Sequence, residues 1–256
     1  MTVVRWLALA LVFATLAAQA QTQDERLSGS VFMAASTLAM QNDDTLNPGM
    51  LWVKEGQTLW DRPAGSSNQA CASCHAQAAT SMKGVAARYP AFDDLTKRPI
   101  TLSQRVNQCR HQHQKAEPLR FESPDLLSLT SFVAHQSRGM PVAPPVDARL
   151  VTSRQQGQQR YTQRIGQLNL SCAQCHDNNA GGRLGSSQIP QAHPTGYPLY
   201  RLEWQTLGSL QRRLRNCMSG VRAEPFAYGS LELVELELHL AVRAKGMLIE
   251  TPGVRP

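Results

Sequence analysis

The sequence reads Cys71-Ala72-Ser73-Cys74-His75 at one place and Cys172-Ala173-Gln174-Cys175-His176 at another. In a C-x-x-C-H segment the two thiols can add across the vinyl groups of haem, and the adjacent histidine supplies the proximal iron ligand. The spacing suits this chemistry because both thioethers and the imidazole must reach one porphyrin from a single turn of chain. The sequence therefore predicts two covalent haem c groups. They would be held by Cys71 and Cys74 with His75 on the first iron, and by Cys172 and Cys175 with His176 on the second.

The cysteine pairs have two other interpretations, a redox dithiol and a zinc site. A thioredoxin-type C-x-x-C belongs in a βαβ context, which this sequence lacks. A zinc site made of four cysteines would leave His75 and His176 without a role. Haem attachment accounts for every cysteine and histidine of the two motifs.

The motifs belong to an internal duplication. Their first cysteines are 101 residues apart (172 − 71), and the offset becomes 108 and then 107 farther along the chain. The matching landmarks keep their order: Gly56 with Gly157, Trp60 with Tyr161, Tyr89-Pro90 with Tyr197-Pro198, Arg105 with Arg213, Cys109 with Cys217, and Gly139-Met140 with Gly246-Met247. We expect an all-α fold with two tandem cytochrome c-like domains related by duplication. The predicted boundaries are 21–44 for an N-terminal extension, 45–143 for domain 1 and 144–256 for domain 2.

Helices are predicted at equivalent places in the two halves: 49–61 and 153–168, 100–109 and 207–217, and 124–138 and 231–245. Gly56 and Gly157 fall inside the first pair, where glycine costs up to about 1 kcal/mol relative to alanine. Close approach of another helix would explain both glycines. Trp60 and Tyr161, one turn later, would pack beside that crossing.

Residues 1–20 have the pattern of a cleaved secretory signal peptide. Arg5 is followed by an apolar run from Leu7 to Ala18, and Ala18-Gln19-Ala20 is a small-x-small cleavage pattern. An uncleaved anchor is the alternative, but the run is too short for a membrane span. We expect a periplasmic protein with no membrane insertion after cleavage.

Composition excludes wholesale disorder, because 42% of residues are hydrophobic and 18% are charged. The net charge is +7 (26 − 19), and it falls to +6 without Arg5. This modest excess fits anion handling and an acidic partner better than nucleic-acid binding, for which no motif is present.

Cys109 and Cys217 follow the first cysteines of their motifs by 38 and 45 residues. We interpret each as the distal ligand of its own haem iron, because Arg105 and Arg213 lie one helical turn before them and a nearby cation favours thiolate. The alternatives are a Cys109–Cys217 disulfide, methionine ligation by Met140 and Met247, and histidine ligation by His111 or His113. His135 and His239 are predicted to be surface residues.

The second half shows a family resemblance, carried by Ser171–His176, His193-Pro-Thr-Gly-Tyr-Pro198, Arg201-Leu-Glu-Trp204, Gln211–Cys217 and Arg222–Pro225. These motifs resemble the SoxA family, the catalytic dihaem subunits of SoxAX cytochromes in bacterial thiosulfate oxidation. The resemblance implies an L-cysteine S-thiosulfotransferase, which attaches thiosulfate to a cysteine sulfur of the SoxYZ carrier with loss of two electrons. It also implies a SoxX-like monohaem cytochrome as heterodimer partner and a cytochrome c that accepts the electrons.

The resemblance assigns roles to particular residues. Cys217 would carry the catalytic persulfide and Arg213 would bind substrate, while Cys109 would be the distal ligand of the first haem. The second half has seven additional residues (45 − 38) between His176 and Tyr197, so the second haem would have the more elaborate surroundings. His193 lies in that stretch and is interpreted as a packing or supporting residue.

Other function classes stay open at this point. A dihaem electron carrier would have no substrate of its own. A thiosulfate dehydrogenase would couple two thiosulfates to tetrathionate without a carrier. A binding module with structural disulfides would contain no covalent haem.

Overall fold

The computed structural model describes residues 24–256, so the predicted signal peptide lies outside the described residues. The α-helices are α1 (Ala35–Asn42), α2 (Met50–Asp61), α3 (Cys71–His75), α4 (Ala78–Ser81), α5 (Leu102–Cys109), α6 (Pro124–His135), α7 (Val151–Thr162), α8 (Cys172–His176), α9 (Leu210–Gly220) and α10 (Leu231–Arg243). We call α2–α6 the first unit and α7–α10 the second. Within residues 24–256, no helix has the length and apolar character needed to cross a membrane.

In each unit the helix before the C-x-x-C-H segment crosses the last helix, α2 against α6 and α7 against α10. A Cβ on Gly157 would overlap the carbonyl oxygen of Glu235 and lie 2.9 Å from Cβ of His239. A Cβ on Gly56 would overlap the Ser128 carbonyl in the same way. The predicted close approach of two helices at these glycines is confirmed.

Aromatic rings pack beside each crossing, as predicted. The ring centroids of Trp60 and Phe132 are 5.8 Å apart, and those of Tyr161 and His239 are 5.1 Å apart. Phe132 and His239 are repeat equivalents at the 107 offset (239 − 132). The two crossings are therefore built from matching positions.

Alanine at Gly157 is expected to destabilise the protein by about 2 kcal/mol or more, because overpacking of a tight contact outweighs the gain in helix propensity. Gly220 is the matched control, since it ends α9 with open space around its Cα. Thermal unfolding should show a clear loss of Tm for Gly157→Ala and almost none for Gly220→Ala. Equal Tm values for both variants would contradict the role assigned to the crossing.

Short strands make the fold less purely α-helical than predicted. They are β1 (Ala91–Asp93), β2 (Arg98–Ile100), β3 (Arg183–Leu184), β4 (Ser187–Gln188), β5 (Leu199–Arg201), β6 (Thr206–Gly208) and β7 (Gly253–Arg255). β1 pairs with β2 and β5 with β6, both antiparallel, and β7 adds to β5 in parallel. The β1–β2 hairpin leads directly into α5, which carries Cys109, and the β5–β6 hairpin leads directly into α9, which carries Cys217.

The N-terminal extension packs against the segment that follows α10. The hydroxyl groups of Ser28 and Ser30 donate to the Glu250 carboxylate at 2.7 and 2.9 Å. The side chain of Gln41 accepts from the backbone nitrogen of Val254 at 3.0 Å. Residues close to the beginning of the chain thus hold its last strand in place.

The two units meet through segments that are copies of one another. Residues 139–142 pair with residues 246–249, which are their equivalents at the 107 offset. The Gly139 nitrogen donates to the Ile249 carbonyl, and the Gly246 nitrogen donates to the Val142 carbonyl, both at 2.8 Å. Another equivalent pair, Phe121 and Tyr228, stacks with ring centroids 6.3 Å apart and an interplanar angle of 13°.

A cavity of about 140 Å³ lies between the units, and Glu237 lines it together with Glu122. Burial raises the pKa of Glu237 from 4.5 to about 7. A hydrogen bond from Gln211 at 2.7 Å opposes the increase, and the nearby Glu122 adds to it. The folded protein therefore takes up a proton that the unfolded chain releases near pH 4.5.

Relative to the Glu237→Gln variant, wild-type protein should accordingly lose about 3 kcal/mol of stability as pH rises from 4.5 to 8. The sign follows because a carboxyl with a raised pKa stabilises the fold only while it is protonated. Glu237→Gln should match wild type at pH 4.5 and be more stable at pH 8, as measured by thermal unfolding at both pH values. Glu55→Gln, on the exposed face of α2, is the control and should track wild type throughout. Parallel wild-type and Glu237→Gln curves would refute the assignment.

Candidate active site

Each C-x-x-C-H segment forms a short helix whose position is set by the loop before it. In the second unit, Ser171 and Gln174 cap α8 reciprocally, with hydrogen bonds of 3.2 and 2.9 Å. Gly166 has a φ of +69°, and a Cβ there would overlap the Val221 carbonyl just after α9. Gly65 makes the equivalent approach to Gln114 in the first unit. These glycines let the loop before each C-x-x-C-H segment pack closely against the segment that follows Cys109 or Cys217.

The structure brings His176 and Cys217 together. The His176 Nδ1 donates to the Pro190 carbonyl at 2.6 Å, which leaves Nε2 as the free ring nitrogen. The His176 and Cys217 side chains lie within hydrogen-bonding distance of each other. Both line a cavity of about 540 Å³, whose walls also include Tyr197, Arg201, Arg213 and Arg255.

The surroundings of Cys217 favour the thiolate. Burial acts to raise the pKa of the Cys217 thiol, but the hydrogen bond with His176 and the charges of Arg213 and Arg201 outweigh it. The pKa of Cys217 therefore lies below its ordinary value. A thiolate is the form of cysteine that acts as nucleophile and as metal ligand.

The surroundings of Cys109 favour the protonated thiol instead. Burial raises the pKa of the Cys109 thiol, and the charge of Arg105 does not compensate. Arg105 is held by an ion pair with Asp93 at 2.8 Å and donates to the Tyr89 hydroxyl at 3.3 Å. The sequence argument that an arginine one turn away favours thiolate in both units thus holds for Cys217 only.

Arg212, Arg213 and Arg215 are all near Cys217 in the sequence, but they do not all lie at its cavity. Arg213 lines the cavity. Arg212 lies over the Trp204 ring at 4.2 Å and Arg215 over the Tyr228 ring at 4.5 Å. Successive residues of a helix point in different directions, so Arg212 and Arg215 lie away from the cavity wall.

The rival ligands lie in other surroundings. Met140 and Met247 belong to the paired segments between the units, where Met140 accepts from Ile249 and Met247 accepts from Val142 through their carbonyls. His111 and His113 are exposed on the π-helical turn Arg110–Gln114 that continues from α5. Within residues 24–256 no two cysteines form a disulfide, and Cys109 and Cys217 lie in different units.

The prediction that His135 and His239 are surface residues is wrong. Both are half-buried, and the Nε2 atom of each is buried without a hydrogen-bond partner among the described residues. Burial lowers the pKa of His239 to about 4, since the ring packs into the α7–α10 crossing. His193 lines the second unit's cavity, and burial lowers its pKa to about 4 as well.

Comparison with known proteins now identifies the family. The SoxA/TsdA cytochrome c domain matches residues 55–142 and again residues 156–249. This chain belongs to the SoxA/TsdA cytochrome c family. The two matches fall on the two units, so the repeated cytochrome c fold predicted from the sequence is confirmed, with the short strands as an addition.

Curated SoxA relatives are similar over most of their length. The L-cysteine S-thiosulfotransferase subunit SoxA of Pseudaminobacter salicylatoxidans is 40% identical, with 91% of this chain and 82% of that protein covered. The protein of the same name from Rhodovulum sulfidophilum is 37% identical, with 91% and 81% covered. The crystal structure of SoxXA from P. pantotrophus superimposes with a TM-score of 0.87 at 33% identity, covering 90% of this chain and 87% of that one. The predicted SoxA membership and the predicted enzyme class are confirmed.

A cytochrome c domain implies covalently bound haem c, and the second unit's residues fit that group. The cavity of about 540 Å³ has His176 and Cys217 on its walls. Burial raises the pKa of the half-buried Cys172 thiol, and the nearby Cys217 raises it further. An imidazole nitrogen and a cysteine sulfur on one cavity wall are donors that could ligate a haem iron.

Two residues on the cavity wall had no role in the sequence analysis, Tyr197 and Arg201. Tyr197 is half-buried beside Arg213 and Cys217, and burial raises the pKa of its hydroxyl. Arg201 ends β5 and was quoted only as part of a family motif. The 108 offset could have drawn attention to it, because it aligns Arg201 with the acidic Asp93.

Proposed function

We propose that this SoxA-family protein oxidatively joins thiosulfate to a cysteine sulfur of a SoxYZ-type carrier in the periplasm. Written with the carrier thiol as R–SH, the reaction is R–SH + S₂O₃²⁻ → R–S–S–SO₃⁻ + H⁺ + 2e⁻. One sulfur–sulfur bond forms, the carrier thiol loses its proton, and the electron pair leaves for a partner cytochrome. Curated relatives named L-cysteine S-thiosulfotransferase support this assignment.

The observation that carries the proposal is the placement of Arg213 beside Cys217 on one cavity. Thiosulfate is a small dianion, and a guanidinium offers forked donors that match its sulfonate oxygens. Within residues 24–256, no carboxylate forms an ion pair with Arg213, whereas the equivalent Arg105 is paired with Asp93. The second unit is therefore the one suited to bind an anionic substrate next to a reactive sulfur.

This chain's residues divide the work as follows. Arg213 would bind the sulfonate end of thiosulfate and direct its sulfane sulfur towards Cys217. Cys217 would carry a persulfide, a reversible state that can accept and pass on a sulfur group. When bound, haem c supplies an iron for His176 and Cys217 to ligate and an acceptor for electrons. Two haem groups per chain are proposed, and His75 and Cys109 would ligate the iron of the one in the first unit.

The proposed partners follow from the relatives. The matched crystal structure is a SoxXA complex, so we propose a SoxX-like monohaem cytochrome as heterodimer partner and an electron-accepting cytochrome c beyond it. The carrier would present its cysteine to the Cys217 cavity.

The test is the intact mass of periplasmically matured protein before and after cyanide, which strips sulfane sulfur. We expect two covalent haems and one sulfur that cyanide removes and that Cys217→Ser lacks. Product analysis should then show thiosulfate conjugated to the carrier. Tetrathionate formation without a carrier would indicate a thiosulfate dehydrogenase instead. Absence of the extra sulfur together with absence of turnover would leave a plain electron carrier.

A further inference from the structure

The two units differ by a reversal of charge at one position. Asp93 is the last residue of β1 and Arg201 is the last residue of β5, and they are equivalent at the 108 offset (201 − 93). The hairpins share one register, since Asp93 pairs with Arg98 and Arg201 pairs with Thr206. The same backbone position therefore presents an acid in the first unit and a base in the second.

In the first unit this position neutralises the arginine that precedes Cys109. The Asp93 side chain is only 3% exposed and lies 2.8 Å from Arg105. Burial acts to raise the pKa of Asp93, but hydrogen bonds from Thr96 and Gln108 and the charge of Arg105 lower it to about 2. Arg105 is thus already ion-paired with a carboxylate of the protein.

In the second unit the same position adds a second positive charge. Arg201 and Arg213 both line the cavity that contains Cys217. Burial lowers the pKa of Arg201, and the charge of the nearby Arg213 lowers it further. Two guanidinium groups this close repel each other unless an anion lies nearby.

The internal partners of Arg201 leave binding capacity unused. Its guanidinium lies over the Trp204 ring at 5.3 Å, a contact that leaves its N–H donors available. Its carboxylate partner is Glu203 at 2.9 Å, which is 64% exposed, and an exposed carboxylate contributes little to an ion pair. The Nε atom of Arg201 is buried and has no hydrogen-bond partner among the described residues. A buried donor without a partner is costly, and a ligand oxygen would satisfy it.

We propose that Arg201 is a second substrate-binding residue, which holds the sulfonate end of the dianionic substrate together with Arg213. The inference rests on the proposed function and extends it from one arginine to a pair. Two positive charges on one wall match the two negative charges of thiosulfate. They also account for selectivity between the units, because the first unit has one arginine that is already paired.

The test measures thiosulfate binding rather than turnover. Oxidised, haem-loaded protein is titrated with thiosulfate by calorimetry at fixed ionic strength, without carrier or electron acceptor. Arg201→Gln should raise the dissociation constant about 10- to 100-fold, the effect of losing a hydrogen bond to a charged group. Arg212→Gln removes one positive charge from a neighbouring residue that lies over Trp204, and it should change binding less than about threefold.

A second variant distinguishes a loss of thiosulfate binding from a loss of folding. Arg201→Asp would rebuild the ion pair of the first unit, so the protein should keep its wild-type Tm and its haem absorption spectrum while losing thiosulfate binding. In steady-state assays with carrier, Arg201→Gln should raise KM much more than it lowers kcat.

The outcomes separate the inference from the function on which it rests. Weak binding by Arg213→Gln together with normal binding by Arg201→Gln would overturn the role of Arg201 and leave the proposed function intact. Equal losses in Arg201→Gln and Arg212→Gln would also overturn it, since general charge would then explain both. Failure of the wild-type protein to bind or turn over thiosulfate would remove the proposed function itself.

Discussion

Serine in place of Cys217 is expected to lower carrier-dependent thiosulfate oxidation by about 10⁴-fold or more, the scale of losing a catalytic nucleophile. The Cys217 sulfur lies opposite His176 and beside Arg213, in surroundings that lower its pKa. A hydroxyl cannot carry the sulfane sulfur that the proposed reaction needs. The measurement is the rate of carrier conjugation, with intact mass to show that covalent haem is retained.

Cys109→Ser is the matched control, because Cys109 is the repeat equivalent of Cys217. Its thiol has a raised pKa and its nearby arginine is already paired. We expect a changed absorption spectrum for the first haem and a far smaller loss of activity than in Cys217→Ser. A wild-type rate in Cys217→Ser, or equal losses in the two variants, would contradict the assignment of chemistry to the second unit.

Alanine substitutions of the equivalent arginines should produce opposite phenotypes. Arg213→Ala should lower kcat/KM for thiosulfate about 10²-fold with little change in stability, because Arg213 binds substrate rather than a carboxylate of the protein. Arg105→Ala should leave Asp93 buried and unpaired, and it should destabilise the protein by about 2 kcal/mol while the folded fraction stays active. The estimate for Arg105 is reduced because its side chain is 33% exposed.

Two assays on both variants distinguish these phenotypes, thermal unfolding of haem-loaded protein and steady-state kinetics with carrier. The loss in Arg213→Ala should also decrease at high salt, since screening weakens the charge attraction that the variant lacks. Similar stability losses in both variants would mean that Arg213 is a structural residue, and full activity in Arg213→Ala would remove it from the mechanism.

The sequence predicted the helices and their crossings well because these depend on local pattern. Gly56 and Gly157 are informative for a physical reason, since only glycine permits the backbone contacts seen at Ser128 and Glu235. The strands were missed because a three-residue strand is too short to show an alternating pattern. The pairing of β7 with β5 joins residues about 54 positions apart (253 − 199), and no local signal encodes it.

The sequence predicted candidate site residues, but it did not predict the charges that surround them. The spacing placed an arginine one turn before each of Cys109 and Cys217, and it predicted that both arginines favour the thiolate. Whether that arginine is free depends on the end of the preceding hairpin, where Asp93 and Arg201 differ. Nearness in sequence also counted Arg212 and Arg215 as neighbours of the Cys217 cavity, although α9 directs both towards aromatic rings.

The contact between the units has the character of an isologous interface. Residues of one half meet their own repeat equivalents: Phe121 stacks on Tyr228, and Pro141 bridges to Leu248. In a homodimer every substitution at such an interface appears twice, so both halves must change together. Covalent tethering removes that constraint and lets each half acquire its own charge. The tandem chain therefore holds two unlike cysteine sites on one symmetric scaffold, one whose arginine is paired internally and one whose arginines face a cavity.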